Sequence, residues 1–209
     1  MKSSRTSTTL NQNPRTRIIE ATLHLIAVDG LDAVRHRRVA ALAGVSLGST
    51  TYHFASRDDL IEAAFMHYLE LSEEFLAQIS SAAASAATNE SPDASVGGRR
   101  IVNLVVNLIT NEFDLPYPAP SGLVLAEYEF ILFAARRPHV AEHLRHWEYS
   151  QRQQLESLLK ASGSSHPAND SRNLLALIRG LEIERLTNRA PISNLRSRVT
   201  RFVQSIIVN

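Results

Sequence analysis

Residues 44–54, GVSLGSTTYHF, set three consecutive hydroxyl side chains between Gly48 and a run of three rings. Hydroxyls can hydrogen-bond to phosphate oxygens or base edges, and a threonine methyl can meet a thymine methyl. Gly48 lets a foreign surface come close to the backbone. Tyr52 and His53 can donate to phosphates at a groove edge. Just upstream, RHRR at 35–38 adds Arg35, Arg37 and Arg38. These residue types suit recognition of a polyanion, with no covalent step. No phosphate-binding loop is present, and neither catalytic residues nor a cofactor are expected.

Two short helices, about 36–43 and 47–53, must position these groups. Joined by AGVS, they have the layout of a helix-turn-helix. Gly44 permits the tight turn, Val45 fills the space between the helices, and Ser46 caps the second. The outer face of that helix is expected to carry Leu47, Gly48, Ser49, Thr50, Tyr52 and His53. The arginines sit at the start of the preceding helix, where the backbone already favours phosphate. SRDD at 56–59 has capping-box spacing, with Ser56 as cap and Asp59 three residues on. Arg57 there is expected to hold a second phosphate. Ahead of the pair, Asn13-Pro14 opens a helix with Ile18, Ala21, Leu25 and Val28 at helical spacing, stopped by Gly30. The expected organisation is a flexible basic tail at 1–13, a DNA-binding head at 14–60 and a helical body at 61–209.

Charge supports the division. The net charge is only +1, yet residues 1–57 hold eight Lys and Arg against three Asp and Glu, which leaves the remainder negative. A basic head on an acidic body suggests that the head alone meets a polyanion. The body continues with helices over 57–87, 101–113, 121–137 and 138–161, then about 170–187 and 192–207. TNESPDASVGG (88–98) and LPYPAP (115–120) connect them. The class is all-α, with about nine helices. With no cysteine, disulfides and thiolate metal sites are excluded. No apolar run approaches the roughly 18 residues of a membrane span, and the N-terminus lacks a signal peptide, so a cytoplasmic protein is expected.

The segments RTRIIEATLHLIAVDGLDAV, RVAALAGVSLGSTTYHF and SRDDLIEAA, in this order and spacing from about Arg15 to Ala64, resemble the head of the TetR family of bacterial transcriptional regulators. LAEYEFILFAARRP and ALIRGLEIERLTN resemble the sixth and eighth helices of many members. Thr51 stands where many members have tyrosine, and Arg35 where they often have a Ser or Thr cap. The resemblance implies a homodimer on a palindromic double-stranded DNA operator, acting as a repressor released by a small-molecule inducer. It implies an inducer site among the middle helices, here supplied by Phe65, Tyr68, Val105, Leu108, Tyr128, Phe133 and Trp147. The ligand is then largely apolar or aromatic, and cationic if Glu127 or Glu129 turns inward. It also implies a dimer bundle of the last two helices, here Leu174, Leu177, Ile178, Gly180 and Leu181 with Val199, Phe202 and Ile206.

Two other readings bear on the body. His139, His143 and His146 share a helix face and could in principle hold a metal. Arg136, Arg137 and Arg145 crowd that face with positive charge, so a solvated polar face is favoured and no metal is expected. The alternative to a small inducer is a body that responds to a protein partner, which an exposed apolar patch would favour.

Overall fold

Local signals set the helix ends. The structure is a computed structural model that describes residues 13–88, 103, 106, 123–161, 163–188 and 193–207. Asn13 Oδ1 accepts from the Arg15 amide at 3.0 Å and Pro14 occupies the first turn, so α1 (Pro14–Asp29) starts there. A 3-10 turn (Leu31–Ala33) leads to α2 (His36–Ala43). Gly44 ends α2 in the left-handed region at φ 63°, where a side chain would be strained. Ser46 Oγ accepts from the Ser49 amide at 3.1 Å and opens α3 (Leu47–His53). The capping box at the start of α4 (Arg57–Thr88) is reciprocal. The Asp59 amide donates to Ser56 Oγ at 3.1 Å, and the Ser56 amide donates to Asp59 Oδ2 at 2.9 Å.

The remaining helices are α5 (Leu123–Ala135), α6 (Pro138–Ala161), α7 (Pro167–Asn188) and α8 (Leu195–Ile207). The described residues thus form eight α-helices and no strand, and the all-α class holds. Of the helix expected over 101–113, only Asn103 and Val106 are among the described residues, and both are helical. The tail at 1–12 and the connectors at 89–98 and 115–120 lie outside them.

The chain divides into two compact units, residues 1–71 with 121–144 and residues 72–120 with 145–209. In the first, α1 packs against α2, α3 and α5. Ile18, Leu25 and Ile26 of α1, Val34, Val39 of α2 and Leu60 and Ile61 of α4 are buried. Because both α2 and α5 cover α1, its buried surface is wider than one stripe and takes in Leu23 and Ala27, whereas Val28 is 63% exposed. In the second, Val106, Leu159, Leu174, Leu181, Leu195, Val199 and Val203 form one core. Arg198 of α8 donates to the Glu184 carboxylate of α7 at 2.8 and 3.0 Å, tying the two last helices together at the surface.

Candidate nucleic-acid interface

The turn between α2 and α3 is held from below. Val45 N–H donates to the Ala40 carbonyl at 3.0 Å across Gly44. Arg17, one turn into α1, donates to the Ala43 carbonyl through Nε at 3.0 Å and Nη2 at 2.6 Å, and to the Gly44 carbonyl at 2.6 Å. One planar fork thereby satisfies the last carbonyls of α2, which a helix end otherwise leaves open. Sequence reasoning missed Arg17 because its partners lie 26 and 27 residues away. The Arg15 guanidinium sits 5.5 Å from the Phe54 ring centroid, at the far end of α3.

The face that α3 turns outward differs in one position from expectation. Leu47 is 44% and Tyr52 85% exposed, and Gly48 and Thr51 are exposed with them. Thr50 is fully buried, and its hydroxyl donates to the Leu47 carbonyl at 2.7 Å. Thr50 therefore belongs to the packing of α3 against its neighbours and cannot face a ligand; Thr51 stands in its place. A helix of seven residues shows too little periodicity to fix which of two adjacent threonines points out. Ser49 and His53 are half-buried, and the His53 ring stands edge-on to Tyr52 at 5.1 Å. Among the described residues a Cβ added at Gly48 would meet only Ser46 Oγ, at 3.8 Å, so none of them demands glycine there.

The arginines divide into two groups. Arg38 pairs with Asp29. Arg57, expected to bind phosphate, donates through Nε to the Val34 carbonyl at 3.1 Å and through Nη2 to the Leu31 carbonyl at 2.6 Å, with Asp32 at 3.6 Å. It clamps the 3-10 turn, which is a structural task. Arg35 and Arg37 are exposed at the start of α2, and neither has an ion-pair partner among the described residues.

The residues expected to line a ligand site are only partly brought together. Phe65 and Tyr68 of α4 lie 5.1 and 5.6 Å from the Phe130 ring of α5. Glu127 turns inward, as the chemistry of a cationic ligand would require: it is buried, and the Tyr68 hydroxyl donates to its carboxylate. Glu129 instead lies over Gly30, its Oε1 at 3.0 Å from where a Cβ would stand. Phe133 is buried beneath the Arg137 guanidinium at 3.8 Å, and Tyr128 is half-buried. Trp147 is buried in the second unit. Val105 and Leu108 lie outside the described residues. His139, His143 and His146 are exposed, and His139 Nε2 faces Glu62 at 3.2 Å.

The dimer residues need correction too. Leu174, Leu181 and Val199 are fully buried by their own chain, so they have no surface to offer a second copy. Leu177, Ile178, Phe202 and Ile206 are partly buried against the same core. Apolar periodicity marks a covered face without saying which chain covers it. Gly180 does face out: a methyl added there would meet no atom of the described residues within 4 Å, and Ile183 beside it is 44% exposed.

Residues 18–64 match the family described as bacterial regulatory proteins, tetR family, and residues 99–207 match the tetracyclin repressor-like C-terminal domain. No curated protein matches. Among solved structures, a member of the TetR family from Streptomyces coelicolor is 28% identical, with 94% of this chain and 99% of that one covered and a TM-score of 0.64. The multidrug binding protein EbrR complexed with proflavin is 30% identical over 91% of this chain and 99% of that one, at a TM-score of 0.54. A transcriptional regulator from Rhodococcus is 22% identical, with 94% and 97% covered and a TM-score of 0.69, a likeness of fold alone.

Proposed function

The chain belongs to the tetR family of bacterial regulatory proteins and is a DNA-binding transcriptional regulator; on that premise we propose that it is a homodimeric repressor, released from a palindromic operator by a small aromatic cation. The head at 14–60 meets the DNA. Leu47, Gly48, Ser49, Thr51 and Tyr52 enter the major groove, with Ser46 and His53 at its edges, and Arg35 and Arg37 hold phosphates. The observation that carries this reading is the exposed face of α3 beside two exposed arginines, on a turn held rigid by Arg17.

The body at 61–209 holds the ligand and the dimer contacts. Glu127, buried and hydrogen-bonded by Tyr68, whose ring packs on Phe130 as Phe65 does, offers a carboxylate to a cationic ring system. Supporting this choice, the similar protein EbrR has been solved complexed with proflavin and with ethidium. The Phe65 and Tyr68 rings pack on Phe130, so a ligand must part them. Ligand and packed state therefore compete, and that differential affinity is what shifts a population. A tenfold loss of operator affinity needs only about 1.4 kcal/mol of coupling.

Mobility-shift titration of the full chain on the chromosomal DNA flanking its gene tests the reading, with proflavin and a neutral aromatic added in turn. Binding to a two-fold symmetric site that proflavin reverses is the expected result. Binding that no small compound changes would transfer the body to a protein partner.

A further inference from the structure

We infer that α3 discriminates its half-site through the 5-methyl groups of thymine, read by Leu47 and Thr51, and not through hydrogen bonds to guanine or adenine edges. The inference rests on the reading of α3 as the groove-entering helix. The seven residues of α3 are LGSTTYH. Among them is no Arg, Lys, Asn, Gln, Asp or Glu. Those are the side chains that form bidentate pairs with guanine or adenine or accept from the cytosine amino group. Discrimination by α3 must come from what remains.

What remains on the outer face is mostly hydrocarbon. Positions 47, 48, 51 and 52 share one face of a helix. Leu47 is 44% exposed, an apolar group held in water with no neighbour of its own chain to cover it fully. Thr51 Oγ1 is turned back onto its own helix, 3.3 Å from the Leu47 carbonyl and 3.2 Å from that of Gly48. With the hydroxyl engaged there, the γ-methyl is the end of Thr51 left free. Gly48 lies between them without a side chain, and none of the described residues needs that space. Leu47 and the Thr51 methyl thus present the hydrocarbon of this face. A thymine methyl projects into the major groove and is the one apolar group a base pair presents there. Of the hydrogen-bonding groups, Ser49 is half-buried, and Tyr52 and His53 come at the C-terminal end of α3, whereas base edges are met by the N-terminal residues of such a helix. Arg35 and Arg37 stand on α2, so the charge that gives affinity is separate from the surface that gives preference.

The test uses the full chain and a duplex selected by it from a randomised double-stranded library, with the protected half-sites mapped by footprinting. Thymines inside the half-sites are then replaced by deoxyuridine, which keeps every base-pairing and groove hydrogen bond and removes only the methyl. Affinity is expected to fall about fourfold for each contacted methyl removed, and replacement outside the footprint to change nothing. Leu47→Ala and Thr51→Ser should each shrink the uracil penalty while leaving the melting temperature unchanged. Equal binding of the thymine and uracil duplexes would overturn the inference. So would a penalty that persists undiminished in both variants, since it would then arise from DNA stiffness. Failure to enrich any duplex would overturn the groove-binding reading itself, a different result from binding that ignores the methyl.

Discussion

Arg137, at the corner between α5 and α6, donates to Asp58 Oδ2 through Nη2 at 2.6 Å and Nε at 3.2 Å, fastening that corner to the first turn of α4. Asp58 lies five residues beyond His53, so the pair sits where α3 hands over to α4. Both side chains are partly solvated, at 30% and 49% exposure, which keeps the pair modest. A double-mutant cycle of Arg137→Ala and Asp58→Ala, followed by urea denaturation, is expected to give a coupling of about 0.5–1 kcal/mol that shrinks in high salt. Coupling of zero at low salt would make the contact incidental.

Adjacent threonines should behave in opposite ways. Thr50→Ala removes a buried methyl and a hydroxyl bonded within α3, so a stability loss of about 1 kcal/mol is expected. Thr51→Ala should leave stability unchanged and alter affinity or sequence preference for DNA. Paired melts and binding titrations separate the two. If Thr50→Ala changed preference at full stability, the orientation of α3 given by its burial would be wrong.

Arg17 and Arg37 are both basic residues of the head, yet only one is engaged within the chain. Loss of the Arg17 fork should cost about 1–2 kcal/mol and weaken DNA binding by loosening the turn. Arg17→Lys should restore it only in part, because an ammonium can serve the two carbonyls that Nη2 reaches but lacks the second nitrogen that also bonds Ala43. Arg37→Ala should leave the melting temperature unchanged, weaken all duplexes about equally and flatten the salt slope by about one unit. Equal salt slopes for wild type and Arg37→Ala would remove that residue from the phosphate contacts.

Glu127 carries the ligand proposal. Glu127→Gln keeps the shape and a hydrogen-bond acceptor for Tyr68 but removes the charge. Proflavin and ethidium should bind about tenfold more weakly, equivalent to about 1.4 kcal/mol, whereas a neutral aromatic of similar size should be unaffected. Ligand fluorescence on titration measures this directly. Equal losses for charged and neutral compounds would point to disturbed packing in place of a lost counter-charge.

What could be read in the sequence was what is local. Asn13-Pro14, Gly44, Ser46 and the Ser56–Asp59 box act within four residues, and each ends or starts a helix as its type demands. Tertiary engagement could not be read. Arg57 and Arg37 look alike in a string of letters, but Arg57 meets the Leu31 and Val34 carbonyls only once the 3-10 turn folds beneath it. The inward turn of Glu127 is likewise set by Tyr68, 59 residues away. For the last two helices the apolar spacing was legible and its owner was not, since one stripe serves equally to cover a chain's own core or a second copy.

The dimer prediction therefore moves to the surface that the chain leaves bare. Leu174, Leu181 and Val199 are fully covered, so cutting any of them to alanine should unfold the body, at about 2–5 kcal/mol for the leucines, and would say nothing about assembly. Gly180 and Ile183 lie on the exposed side of α7. Since a Cβ at Gly180 would meet no atom of the described residues within 4 Å, Gly180→Leu should cost the monomer little packing, and removing glycine from a helix interior favours it by about 1 kcal/mol. Against a second copy seated on that face, the same leucine has no room. Sedimentation velocity should show the wild type as a dimer and Gly180→Leu shifted toward monomer at an undiminished melting temperature. Operator affinity should fall with it, because a single short helix-turn-helix makes too few base contacts and two heads must bind together about 34–36 Å apart. An intact Gly180→Leu dimer would take this face of α7 out of the interface, and a wild-type monomer on its operator would end the palindrome model.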